Sequence, residues 1–87
     1  MKYQIIDNYR VRCFPLAKQC TLLEAIDKVE LLQERHEILE INKASMEGAP
    51  YQQSIVFELW VYFDDDISCG IPADLAREYF TMNGYLT

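Results

Sequence analysis

The sequence is poor in residues that interrupt secondary structure, and it contains no long hydrophobic segment. Its 87 residues include only three glycines and three prolines, too few for a low-complexity tract or a flexible linker. The longest uninterrupted apolar run is the five residues from Leu59 to Phe63, far below the ~20 that a membrane-spanning helix needs. The opening stretch MKYQIIDNYR lacks the apolar segment of a signal peptide. We therefore expect one cytoplasmic domain, residues 1–87, that does not associate with a membrane.

The three cysteines do not form a familiar metal or disulfide pattern. Cys13, Cys20 and Cys69 are odd in number and include no C-x-x-C pair, which favours free thiols in a reducing compartment. With His36, the only histidine, they could supply four zinc ligands, but structural zinc sites use ligands in closely spaced pairs. A cysteine nucleophile with His36 as its base is a further alternative to a purely structural role. We expect no catalytic residue, no metal and no cofactor.

Phosphate-binding loops are missing as well. The three glycines stand alone, so neither a P-loop nor a dinucleotide-binding fingerprint exists. The net charge is −6, and it is unevenly distributed: residues 1–20 carry +3, residues 21–50 carry −4 and residues 51–87 carry −5. A body of this charge repels polyanions and attracts basic protein surfaces. We therefore expect a protein partner with a basic surface and no direct contact with nucleic acid.

The N-terminal stretch KYQIIDNYRVRCF predicts a β-hairpin. Apolar residues occupy odd positions on both sides of the turn signal Asp-Asn. A two-residue loop would pair apolar with charged residues across the strands. A three-residue loop over residues 7–9 pairs Ile5 with Val11 and Tyr3 with Cys13, which gives one apolar face.

The next stretch, TLLEAIDKVELLQERH, predicts a helix over residues 21–36. Thr21 and Glu24 form a capping box. The apolar stripe at helical spacing consists of Leu22, Ala25, Ile26, Val29, Leu32 and His36. Leu31 falls on the opposite, charged side of this helix. The following stretch EILEINKA predicts a short strand around residues 39–41, and SMEGAPY predicts a loop.

The C-terminal half predicts a long strand and a second helix. The strand spans residues 53–64, SCGIP predicts a turn, and PADLAREYFTMNG predicts a helix over residues 72–83. Pro72 suits the first helical position, and Asn83-Gly84 suits the end. The resulting order ββαββα favours an α+β fold. We expect a three- to four-stranded antiparallel sheet whose two helices lie on one face.

The long strand has bulky side chains on both of its faces. The inner set is Ile55, Phe57, Leu59, Val61 and Phe63, and the outer set is Val56, Glu58, Trp60, Tyr62 and Asp64. Either another segment of the chain covers Trp60 and Tyr62, or the two form a contact surface, because both residue types are enriched as interface anchors. We predict partner binding by Glu58, Trp60 and Tyr62, and we add Leu31 as a second apolar contact.

Three aspartates end this strand, and they have three interpretations. Asp64, Asp65 and Asp66 could act as charged residues that prevent edge pairing and aggregation. They could instead bind a lysine- or arginine-rich partner. A divalent cation is the third alternative, although DDDISCGIP lacks the spacing of a calcium loop. We include all three in the predicted partner-binding set.

In size, acidity and composition the chain resembles small inhibitors that mobile genetic elements use against nucleic-acid-handling machines, anti-CRISPR proteins among them. This resemblance concerns general character and no sequence motif. It implies a non-enzymatic, acidic interaction domain that binds a basic protein surface. Because a core of this size supplies little net stability, a homodimeric structural or regulatory module is an alternative. A domain that binds a small ligand or a metal is another.

Overall fold

The computed structural model describes residues 1–63 and 68–86 of the chain. The elements follow the order β1 (Lys2–Asp7), β2 (Arg12–Pro15), α1 (Leu22–Glu47), β3 (Phe57–Tyr62), β4 (Ser68–Pro72) and α2 (Ala73–Met82). This order confirms the predicted ββαββα arrangement. Neither helix within the described ranges combines the length and apolarity needed to cross a membrane.

The strands form one antiparallel sheet in the order β2-β1-β3-β4. The two hairpins are joined through their inner strands, β1 and β3, which pair along their whole length from Lys2 with Tyr62 to Asp7 with Phe57. The predicted α+β class with an antiparallel sheet is therefore confirmed. Every residue of β2 is exposed, because that strand is a short edge.

The core lies between one face of the sheet and the two helices. Alternation along β1 and β3 directs Tyr3, Ile5, Leu59 and Val61 into it. The helices contribute Leu22, Ala25, Ile26 and Val29 from α1 and Ala73, Ala76 and Phe80 from α2. We call the opposite side, formed by Gln4, Ile6, Glu58, Trp60, Tyr62 and Gly70, the reverse face of the sheet. The same alternation places these residues away from the helices.

The predicted register of the first hairpin is wrong. Ile5 pairs with Phe14 and not with Val11, because the turn contains four residues, 8–11. Asp7 is the reason: the residue is only 3% exposed, and its Oδ1 accepts the backbone N–H groups of Tyr9 (3.0 Å) and Arg10 (3.1 Å). The residue that signalled a loop therefore ends the strand and supports the turn. Val11 lies in the turn with a positive φ of 53°.

The predicted strand around residues 39–41 is also wrong, because α1 continues through it to Glu47. The capping box at Thr21 is confirmed, with its Oγ1 accepting the Glu24 N–H at 3.1 Å. No glycine or proline occurs between residues 22 and 47. The helix ends where Gly48 adopts a left-handed conformation (φ 67°) and donates its N–H to the last turn.

The second hairpin also differs in detail. The stretch SCGIP forms strand β4 and not a turn, and β3 begins at Phe57, four residues later than predicted. The start of β3 is determined by Gln33 of α1, whose Oε1 accepts the N–H groups of Val56 (3.2 Å) and Phe57 (3.1 Å). A helix side chain therefore takes the place of a neighbouring strand at that point.

The two helices are connected by an arginine. Arg77 of α2 donates to Glu30 (2.7 and 3.0 Å) and to Asp27 (2.5 Å) of α1. The hydrogen bonds to Glu30, followed by the one to Asp27, raise the pKa of Arg77. All three side chains are well exposed, so the two pairs stabilise the helix packing by at most about 1 kcal/mol each.

Candidate interaction surface

The reverse face is the surface on which three of the predicted partner-binding residues meet. Glu58, Trp60 and Tyr62 alternate along β3, and each is partly exposed. Both helices pack on the other face, and within residues 1–63 and 68–86 no helix covers this one. Because alternate residues of an extended strand point to the same face, these three side chains lie side by side.

Trp60 lies flat on its neighbouring strand. It is opposite Gly70 in the β3–β4 register, and a Cβ added at Gly70 would lie 2.7 Å from the indole Nε1 and 2.6 Å from Cζ2. The indole therefore occupies the space of the missing side chain. Its N–H is buried and has no hydrogen-bond acceptor in the described part of the chain. Trp60 is thus packed on one side, and its other side is available for contact.

Tyr62 extends the same aromatic surface. Its ring centroid lies 6.5 Å from that of Trp60 at an interplanar angle of 31°. Its hydroxyl donates to Gln4 Oε1 at 3.3 Å, across the β1–β3 pair. Offset aromatic neighbours of this kind add about 1 kcal/mol beyond the burial of their area. The two rings therefore form one continuous apolar patch.

Charged residues lie at both ends of this surface and on the helix behind it. Glu58 Oε1 accepts a hydrogen bond from Asn8 Nδ2 at 2.7 Å, and Lys2 lies opposite Tyr62 at the other end of the patch. Asp74 and Glu78 are exposed on α2, which packs on the other side of the sheet. The predicted residues Asp64, Asp65 and Asp66 lie outside the described residues.

Leu31 is not part of this surface. It is 44% exposed on the outer side of α1, and the helix and the sheet separate it from Trp60. About two and three helical turns further on, Ile38 (51% exposed) and Ile41 (45%) lie on the same side of the helix. The sequence does not predict this second apolar strip, because the pattern around residues 39–41 favours a strand. Uninterrupted helical spacing from residue 31 to residue 41 was the available signal.

The cysteines and the histidine lie apart. Cys13 is on the edge strand β2, Cys20 precedes α1 and Cys69 is in β4, all as free thiols. Burial, followed by the charge of Glu24, raises the pKa of Cys20, which keeps that thiol protonated at neutral pH. In the described ranges no three potential ligands among His, Cys, Asp and Glu come close enough to hold a metal ion.

No protein-family model, curated protein or solved structure matches the chain. The surfaces described above therefore carry the functional hypothesis.

Proposed function

We propose that the chain is a non-enzymatic interaction domain that binds a basic surface of a protein partner through the reverse face of its sheet. One observation carries the proposal: both helices pack on the same side of the sheet, while Trp60 and Tyr62 lie together, partly exposed, on the other. Tryptophan and tyrosine are the residue types most enriched among the side chains that dominate binding energy.

The two aromatic side chains are positioned before a partner arrives. The indole of Trp60 packs against Gly70, and Gln4 Oε1 accepts a hydrogen bond from the hydroxyl of Tyr62. Ordering a free side chain at an interface costs about 0.5–1.5 kcal/mol, and a prearranged one avoids most of that cost. The patch therefore suits recognition of a rigid partner surface.

The charge of the chain favours a basic partner. The net charge is −6, and three consecutive aspartates follow β3 directly in sequence. Opposite charge accelerates encounter and selects against acidic competitors. If the partner is a nucleic-acid-handling protein, the carboxylates take the place of phosphates, and the domain acts as its inhibitor.

The anchor residue Tyr62 provides the direct test. After capture of the partner from the native host, we expect Tyr62→Ala to raise the Kd about 30-fold, the size of one lost interface anchor. Tyr9→Ala is the matched control: Tyr9 is 58% exposed in the β1–β2 turn and lies outside the patch. Calorimetry of purified proteins measures both values. Equal effects of the two substitutions would exclude the reverse face as the binding site.

The electrostatic part of the proposal has a separate test. Replacing Asp64, Asp65 and Asp66 together with asparagine should weaken binding and flatten its dependence on ionic strength. Binding that weakens equally with added salt in both proteins would mean that these aspartates do not face the partner. In that case the reverse-face interaction would remain, and other charged groups would account for its salt dependence.

The exposed strip on α1 supports a second candidate, a homodimeric module. Leu31, Ile38 and Ile41 share one side of a helix, and pairing two such strips would bury them. Under this alternative, light scattering over a concentration series gives twice the monomer mass, and Ile38→Gln restores the monomer. Ile55→Gln is the control, because Ile55 is 43% exposed but lies outside the helix. A monomer at all concentrations rejects the dimer.

A further inference from the structure

A groove of about 420 Å³ lies between the β1–β2 hairpin and helix α1. It is on the helix side of the sheet, opposite to Trp60, because Asp7 and Phe57 point into it from β1 and β3. Arg12 and Phe14 of β2 pair with the inward-facing Asp7 and Ile5, so they point to the same side.

Positive charge is concentrated in this groove. The chain has eight lysines and arginines, and four of them line it: Arg10, Arg12, Lys28 and Arg35. Among the described residues that line it, Asp7 is the only acidic one. It is buried and already occupied by two backbone N–H groups and by Arg12 at 3.7 Å. An acidic chain thus gathers half of its cations in one place.

Three of these cations have no acidic partner among the residues that the structure describes. Within residues 1–63 and 68–86, Arg10, Lys28 and Arg35 form no ion pair with a carboxylate at 4.0 Å or less. Like charges close together repel one another and would destabilise the empty groove modestly. A bound anion would remove that repulsion and gain charge-assisted hydrogen bonds.

Much of the remaining lining is apolar, and we call this part the floor of the groove. Leu32 and Leu39 contribute to it from α1, and Phe14 and Phe57 contribute from the sheet. His36 completes the wall with its ring 5.4 Å from that of Tyr9 and 6.2 Å from that of Phe57. A mostly apolar lining that also contains a few charged groups, at this volume, is typical of sites for small molecules.

We propose that this groove binds a small amphipathic carboxylate. The carboxylate group pairs with the cations, above all with the arginines, whose planar guanidinium matches it in two hydrogen bonds. The apolar body lies on the leucines and phenylalanines of the floor. This site is independent of the proposed function. It lies on the opposite side of the sheet, and it binds an anion where the reverse face binds a basic surface.

Decanoate is the probe, used below its micelle-forming concentration. We expect one equivalent to bind, with amide shifts in residues 12–14 and at His36 and with no shift of the Trp60 indole N–H on the reverse face. Decyltrimethylammonium has the same tail and the opposite charge, so it should not bind. Titration followed by NMR and calorimetry measures both.

Charge substitutions in the groove provide the second measurement. Lys28→Gln and Arg35→Gln change exposed helix residues, and each should raise the Kd of decanoate about tenfold, the effect of one lost charge-assisted hydrogen bond. Lys43→Gln removes the same charge from α1 outside the groove and should leave the Kd unchanged.

Three results would overturn the proposal. One is the absence of decanoate binding to the intact chain, even if an acidic peptide bound there instead. Another is equal binding of decyltrimethylammonium, and the third is equal effects of the groove substitutions and Lys43→Gln. None of them bears on the reverse face, which the Tyr62→Ala experiment tests separately.

Discussion

Replacing Gln33 with leucine is expected to lower the free energy of unfolding by about 3 kcal/mol, although it adds an apolar residue to a buried position. Gln33 is 5% exposed on α1. Its Oε1 accepts the N–H groups of Val56 and Phe57, and its Nε2 donates to the carbonyl of Ser54 at 2.9 Å. Leucine leaves all three backbone groups without their partner at the point where β3 begins.

The magnitudes decide the sign of this effect. Burying leucine in place of glutamine gains about 1–2 kcal/mol from apolar area. Each stranded backbone group costs about 1–3 kcal/mol, and water can reach some of them only after the segment moves. The net loss is a large share of the stability of a small domain, which is about 5 kcal/mol or little more.

Urea unfolding followed by circular dichroism measures the loss. Gln53→Leu is the matched control: Gln53 is exposed and donates one hydrogen bond to Glu37 at 2.9 Å, so its replacement should cost less than about 0.5 kcal/mol. Hydrogen exchange should accelerate at the amides of Val56 and Phe57 in the Gln33 variant. Equal stability of the two variants would mean that the start of β3 does not depend on Gln33.

The sequence is sufficient to predict that Gln33 is buried, but not which groups it bonds to. It lies four residues after Val29, on the apolar stripe of α1, and a polar residue on such a stripe requires an internal partner. Its partners are the backbone groups of residues 54–57, more than twenty positions away. Local periodicity places the side chain inside the protein but carries no information on such a distant contact.

The errors in the hairpins have the same origin. The intrinsic preference of aspartate predicts a loop at Asp7, but the residue is buried and ends β1, so the register moves by three residues. The stretch SCGIP contains two turn-forming residues and is nevertheless a strand, because β3 offers it a complete ladder from Glu58 to Tyr62. In both places tertiary pairing overrides local propensity.

The candidate site was more predictable than the hairpins. Alternation alone separates Glu58, Trp60 and Tyr62 from the inward-facing residues of the same strand, and the structure has that separation. Leu31 was predicted to be exposed, and it is, but its companions Ile38 and Ile41 were hidden by the false strand. The groove required the correct hairpin register, which places Arg12 and Phe14 on the helix side.

The glycine beneath Trp60 is expected to be as sensitive as a core residue. Gly70→Ala should destabilise the chain by about 2 kcal/mol, because the new Cβ would overlap the indole ring and displace it from β4. In an ordinary strand the same substitution is favourable by about 0.5–1 kcal/mol, since alanine loses less backbone entropy than glycine. The overlap outweighs that gain, because the atoms that the new Cβ meets belong to the rigid indole ring and not to the end of a flexible side chain.

A double-mutant cycle isolates this contact. In a Trp60→Leu background the ring is gone, so Gly70→Ala should become neutral or slightly stabilising, and the coupling should be about 2 kcal/mol. Trp60 is the only tryptophan, so its fluorescence reports the displacement directly as a red shift when the indole enters water. An unshifted emission together with additive free energies of unfolding would mean that the indole does not rest on Gly70. The proposed reverse-face patch would then lose the support that holds its largest anchor in place.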